Sequence, residues 1–171
     1  MLLADGRSVL AGVDQMRARA KGMSSGTEAE LSVVIDVMFP IAIVAQTSKA
    51  FGETFPVTPL KIYVEVLGSA YQPLLDGRAS LGIVGPMPSM ASCVTCERLT
   101  GIRMVIVAAP IHPLAEYPGT IPRADLARYV QLVLTDRTAL TDRQDFCVFS
   151  RLTWRLADLF AKRAFLLEGL G

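Results

Sequence analysis

With 171 residues, 51% of them hydrophobic, the chain can bury a real core, roughly 70% of its unfolded surface by size scaling, in one domain or in two small lobes. A formal net charge of +1 argues against broad electrostatic binding of nucleic acid by this chain itself. No uninterrupted apolar run approaches the ~20 residues of a membrane-spanning helix, because the richest region, Val33 to Ala45, is broken by Asp36 and Pro40.

The first stretch, MLLADGRSVLAG, places an acid before its first base and lacks the apolar centre of a secretory signal. Residues 1 to about 22 read as a helix. Leu2, Gly6, Val9, Val13, Met16 and Ala20 recur at spacings of 4-3-4-3-4, the seam of a helix packed on another helix. Gly22-Met-Ser-Ser-Gly26 after it has the composition of a joint. The seam residues Leu2, Val9, Val13 and Met16 are therefore read as a dimerisation face pairing with a second copy, in preference to a helix docked on its own domain.

Leu31 to Ile35 is a short apolar strand, and Pro40 stands where the first turn of a helix tolerates it. Ile41, Val44, Ala45, Phe51 and Phe55 follow at helical spacing, so Asp36-Val37-Met38-Phe39 forms a strand-to-helix corner. Leu60 to Glu65 alternates strictly, with Leu60, Ile62, Val64 and Val66 on one face and Lys61, Tyr63 and Glu65 on the other. Gly68-Ser69 break it, a short helical segment carries Leu74 and Leu75 to a stop at Asp76-Gly77, and Leu81 to Val84 makes a second strand ending at Gly85-Pro86. Such a βαβ unit holds its strands parallel. Ligands of open α/β sheets sit beyond the carboxyl ends of the strands, which directs attention to Asp36–Phe39, Gly68-Ser69 and Gly85-Pro86.

A Met/Pro/Ser loop comes next, then Ile102 to Ala109, which reads as a buried strand. Cys93-Val-Thr-Cys96 precedes that run instead of opening a helix, the context that activates a redox thiol. A zinc site needs four ligands, and only Cys147 and the sole histidine, His112, could join the pair. The three cysteines are therefore read as ordinary reduced thiols, with no metal site and no cofactor. Ala109-Pro-Ile-His-Pro-Leu114 marks a hinge, and His112 is a loop residue in it without an acidic or nucleophilic neighbour at usable spacing. Beyond it lie a short helix (Ala124 to Arg128), a strand (Val130 to Leu134), a polar loop (Thr135 to Asp145) and a final helix. The final helix is expected to be capped by Thr153, to carry Trp154, Leu156, Leu159, Phe160, Ala164 and Leu167, and to end at Gly169. GxSxG, Walker and HExxH motifs are all missing, so no enzyme chemistry presents itself.

In this order the pieces resemble the regulatory half of a LysR-type transcriptional regulator. The carriers are Phe51-x-x-x-Phe55-Pro56, the run Leu-Leu-Asp-Gly-Arg-Ala-Ser-Leu-Gly-Ile (74–83), Ala109-Pro-x-His-Pro-Leu114, Gln-Leu-Val-Leu-Thr-Asp-Arg (131–137) and Thr-Trp-Arg-Leu-Ala-Asp-Leu (153–159). Ser80, where the family usually has aspartate, and Cys147 and Phe160, where one subgroup tends to have glycine, depart from it. The resemblance implies an α/β fold like type 2 periplasmic binding proteins: a linker and joint (1–26), a first regulatory lobe (29–109) and a second, incomplete lobe (110–171). It implies a cytoplasmic homodimer or tetramer that senses a small organic effector, a carboxylate or an aromatic, between the lobes. It also implies DNA contact only through a helix-turn-helix absent from this chain, no membrane, and a chain that is a fragment at both ends, lacking the strand that returns to the first lobe. The residues expected at the ligand are Asp36, Met38, Phe39, Ser69, Gly85, Pro86, Thr135 and Thr141. Family members often present Thr or Ser where Asp36 and Met38 stand here. The rival reading is a dimerisation fragment that binds no ligand.

Overall fold

Strand β1 (Leu31–Asp36) is the centre of the larger sheet, since Val34 and Ile35 are both buried although they point to opposite faces. In the computed structural model, which describes residues 30–85, 93–141 and 146–171, it pairs in parallel with β2 (Leu60–Glu65) on one side and β3 (Leu81–Ile83) on the other. The predicted linker helix with Leu2, Val9, Val13 and Met16, the joint after it and Pro86 lie outside the described residues. The expected βαβ unit is present with one refinement: its two strands are parallel but not neighbours, because β1 inserts between them in the order β2-β1-β3.

Helix α1 (Ile41–Thr54) starts directly after Pro40 and ends as its Phe51 and Phe55 rings meet at 5.1 Å. Only Val44 of its face is buried. The crossover from β2 to β3 is a tight 3-10 turn (Leu67–Ala70) followed by α2 (Gln72–Leu75), closed by Gly77 at φ +67°. Ala70 and Leu74 of this crossover meet Val34, Ala79, Tyr63 and Val84 in the main core. Because the crossover covers the sheet face shared by the register partners Val34 and Tyr63, it is Tyr63 that packs inward. Ile62 and Val64, on the apolar side of the alternation, are 38% and 46% exposed.

One expected element is corrected here. Ile102 to Ala109, read from composition as a buried strand, forms no strand, and Ile102, Met104, Val105, Ile106 and Val107 are each 50% or more exposed. The physical reason is that no described strand lies beside it to take its backbone groups or cover its side chains. Burial begins only at Ala109, and His112 is buried too. Its Nδ1 accepts the Leu114 N–H (3.2 Å), capping a 3-10 turn (Pro113–Glu116), while its ring meets Tyr129 edge-on at 4.9 Å.

After α3 (Arg123–Leu126) comes the second sheet, β4 (Gln131–Leu134) paired in parallel with β5 (Thr153–Leu156). The sequence reading that began a helix at Thr153 is therefore wrong by five residues. Thr153 to Leu156 form a strand in register with Gln131 to Leu134, and helix α4 (Leu159–Leu167) starts after it. The true cap is Asp158, whose carboxylate accepts the Ala161 N–H at 2.6 Å. The stop is as expected. Gly169 adopts φ +79°, and the bonds from Gly169 N–H to Leu166 O and from Leu170 N–H to Phe165 O close a Schellman motif. The segment leading into β5 is templated by one side chain. Gln131 donates through Nε2 to Cys147 O (2.7 Å), and its Oε1 accepts the N–H groups of Phe149 and Ser150 (2.8 and 3.1 Å).

Candidate functional site

The carboxyl end of β1 delivers Asp36 into a buried corner, only 6% exposed. Its carboxylate accepts the Met38 N–H at 2.9 Å, and the Leu67 N–H also bonds to it. Burial raises the Asp36 carboxyl above its ordinary range, and these two backbone donors oppose that rise without cancelling it. Gly85, at the end of β3, stands across the corner, where an added Cβ would lie 3.5 Å from the Asp36 carboxylate. Tyr71 ties the corner shut by donating its hydroxyl to Gly85 O at 2.6 Å, and burial, with Cys96 and Asp36 nearby, raises the pKa of that hydroxyl.

Leu67 holds the second corner in an unusual way. Its φ is +47°, a left-handed conformation that a branched side chain adopts at a cost of roughly 1–2 kcal/mol, and such outliers concentrate at functional sites. The chain then presents Gly68 and Ser69 to the loop after β4. Asp136 accepts the Ser69 N–H (3.1 Å) and the Thr138 hydroxyl (3.0 Å) on the same oxygen, Oδ2. Thr141 is buried against the same point, its Cγ2 2.9 Å from where a Gly68 Cβ would be. Thr135 closes β4 through its N–H to Leu156 O.

Next to this contact lies a groove of about 200 Å³. One wall is Val37, Val64, Glu65 and Val66, from the ends of β1 and β2. The other is Ala157, Asp158, Leu159 and Phe160, where β5 ends and α4 begins. The carboxyl ends of both parallel sheets thus face one another across it.

Of the residues expected at a ligand, the structure brings Asp36, Met38 and Gly85 together at the first corner, and Ser69 and Thr141 together around Gly68. Phe39 is half-buried and follows Asp36 in the same turn; Thr135 adjoins Asp136 at the end of β4; Pro86 lies outside the described residues. Sequence reasoning missed Asp136, Tyr71 and the whole wall from Ala157 to Phe160. For Asp136 a signal existed: it follows the apolar run 131–134 much as Asp36 follows 31–35. The wall was hidden by the misplaced helix start.

Two parallel α/β sheets that meet at their strand ends define a fold of the kind that receives ligands at such ends. The family described as "LysR substrate binding domain" matches residues 24–171, and the chain belongs to it. Over 138 residues the chain is 36% identical to the uncharacterized HTH-type transcriptional regulator YeeY of Escherichia coli (strain K12), covering 80% of this chain and 44% of that protein. It is 30% identical over 181 aligned residues to the probable HTH-type transcriptional regulator YhaJ of the same organism, covering 100% of this chain and 58% of that one. The chain spans about half the length of these curated relatives. Its fold is similar to the crystal structure of the C-terminal domain of a probable LysR family transcriptional regulator from Rhodococcus sp. RHA1, with a TM-score of 0.57, 24% identity, and coverage of 83% of this chain and 71% of that one. No helix among the described residues is long and apolar enough to cross a membrane.

Proposed function

We propose that the chain is the effector-sensing part of a LysR-family transcriptional regulator, taking a small organic molecule between two α/β lobes, 29–109 and 110–171. The observation that carries this reading is the meeting of strand ends: Val37 and Val66 follow β1 and β2, Ala157 follows β5, and all three line one groove. Val37, Val64, Leu159 and Phe160 offer an apolar wall, and few polar groups are needed to orient a small ligand in such a place. Ligand bound to walls from both lobes favours whichever lobe arrangement it fits better, by its differential affinity. The regulator would act in the cytoplasm as a dimer or tetramer, its copies joined through Leu2, Val9, Val13 and Met16, and would reach DNA through a helix-turn-helix outside this chain.

The test is a thermal-shift and calorimetric screen of small organic compounds on the 171-residue chain, with Ser69→Ala and Leu159→Asp as controls. At least one compound is expected to raise the melting temperature of the parent chain and to lose affinity in Leu159→Asp. A screen with no hits, or hits that both variants bind unchanged, would reject the groove. Light scattering of Val13→Asp checks the assembly part, since an unaltered mass rules out pairing through that seam.

A further inference from the structure

One stretch of the chain has the chemistry of a strand and nothing beside it. Residues 102–107 (IRMVIV) include four β-branched aliphatics and hold no glycine or proline, the composition of a strand. No helix, turn or bend interrupts residues 94–109. Ile102, Met104, Val105, Ile106 and Val107 are each 50–63% exposed. Among the described residues, no hydrogen bond takes a backbone group of residues 102–107, and neither sheet includes them. Each of these residues thus offers one N–H and one C=O to a neighbour, in the manner of an unprotected sheet edge.

The composition of the run selects its neighbour. Its only charge is Arg103, so it has little to offer a strongly acidic or basic partner. The whole chain carries a formal net charge of +1, and two copies therefore approach one another without appreciable repulsion. Short segments of high β-propensity and low charge, free of glycine and proline, are the ones that pair with identical copies of themselves. Orientation follows from Arg103. Parallel pairing in register would set Arg103 directly against its own copy, and like charges so placed are destabilising. An antiparallel pair with its two-fold axis at Val105 avoids this: Arg103 faces Val107, Met104 faces Ile106, and the two guanidinium groups lie apart on either side of the axis.

We propose that two copies of the chain pair antiparallel through residues 102–107, about a two-fold axis at Val105. The contact closes on itself, because each copy contributes the same patch. It is far smaller than the roughly 20–30 residues a side of a standard interface, and a two-stranded ribbon is marginal by itself, so the pairing is weak and governed by protein concentration. It does not rest on the groove, and it is separate from the seam of Leu2, Val9, Val13 and Met16.

Sedimentation equilibrium of the 171-residue chain carrying Val13→Asp, which takes the linker seam out of play, tests this. The mass is expected to rise with concentration and to level off at that of two chains. Val105→Lys sets two like charges on the axis, and Met104→Pro removes an N–H from the ladder; each is expected to weaken the pairing about tenfold or more, whereas Val105→Ile keeps it. Circular dichroism of each variant checks that the fold is unchanged. The register is read by cross-linking in a chain whose exposed Cys93, Cys96 and Cys147 are replaced by serine. There Val105→Cys is expected to give a disulfide-linked dimer under mild oxidation, and Val57→Cys, at a site 82% exposed, is expected to give none. A mass that stays at one chain at every concentration overturns the proposal, as does growth without limit. Pairing that survives Val105→Lys or Met104→Pro unchanged also overturns it, and so does cross-linking through Val57 as fast as through Val105.

Discussion

Replacing Gly68 with alanine tests the contact on which the arrangement of the two sheets turns. The new methyl would meet three atoms at under 3.0 Å, two of them the tips of Asp136 and Thr138. Tips can move, but these are tied to one another and to the Ser69 N–H, and Thr141 behind them is buried. Either the carboxylate retreats and forfeits a charge-assisted hydrogen bond, roughly 1.5–3 kcal/mol, or the backbone shifts at an overpacking cost of about 1–3 kcal/mol. Asp136 is only half-buried, so the lower part of both ranges applies, and about 2 kcal/mol is expected. At roughly 2–4 °C per kcal/mol for a chain of this size, the melting temperature should fall by roughly 4–8 °C. Urea unfolding followed by circular dichroism is the assay. Gly52→Ala is the control: nothing lies within 4 Å of its Cβ position in the last turn of α1, so the helix should gain at most roughly 0.5–1 kcal/mol. Asp136→Ala added to Gly68→Ala should cost less than the two changes summed, because the obstructing oxygen is gone. If Gly68→Ala melts with the parent chain while Gly52→Ala gains, the corner contact is not the joint described above.

Asp36→Asn should stabilise the chain at neutral pH. The native carboxyl keeps its proton to higher pH than the unfolded one, so stability declines as pH rises from about the ordinary 3.8 through the raised native value, and stays reduced above it. The advantage of asparagine in urea midpoint should therefore grow between pH 4 and pH 7, and a constant difference would contradict the buried-carboxylate account. Ser150→Ala removes a hydroxyl that donates to Tyr129 O (2.7 Å) and accepts the Leu152 N–H (3.0 Å) at a buried site; a loss of about 1–3 kcal/mol should appear in the same urea assay, and a loss within error would mean the turn into β5 does not need it. Val105→Lys places a charge in this exposed apolar run and should lower concentration-dependent self-association in light scattering, as breaking up an exposed apolar patch does; unchanged association would show that this run does not mediate it.

How far the sequence foretold this fold depends on where the deciding partner sits. Local signals held: Pro40 before α1, Asp76-Gly77 after α2 and Gly169 after α4 each act within one turn of the chain. The LLDGRASLGI run lay correctly between crossover and strand because both are built from neighbouring residues. Two errors share a different cause. Ile102 to Val107 has the composition of a buried strand, but burial is supplied by a neighbour, and periodicity cannot show whether one is there. Thr153 to Leu156 could be placed on a helical face as easily as on a strand, and only pairing with Gln131 to Leu134 decides between them. The site inherited both kinds of outcome. Asp36, Ser69 and Gly85 were legible as strand ends, whereas the wall from Ala157 to Phe160 became visible only once β5 displaced the helix start.

The same long-range dependence bears on where the proposed sensing site lies. Two strands with one helix make a marginal unit in water, and this one buries Leu132 and Val133 of β4 but leaves Trp154 of β5 and Phe160 and Leu167 of α4 at 44%, 76% and 56% exposed. Such a unit depends on what it leans against, and one thing it leans against is the Gly68-Ser69 corner, through Asp136, Thr138 and Thr141. That corner is built on Leu67 in a left-handed conformation, a strained residue that persists because Asp36 on one side and the Val34 core on the other determine its neighbours. The groove opens beside this joint and draws its walls from both sheets. A molecule filling it, as proposed, would act on a contact crossed by the Ser69 N–H to Asp136 hydrogen bond, where a small differential affinity would suffice to alter how the sheets sit. The same molecule bound on the face of either sheet alone would have no such leverage.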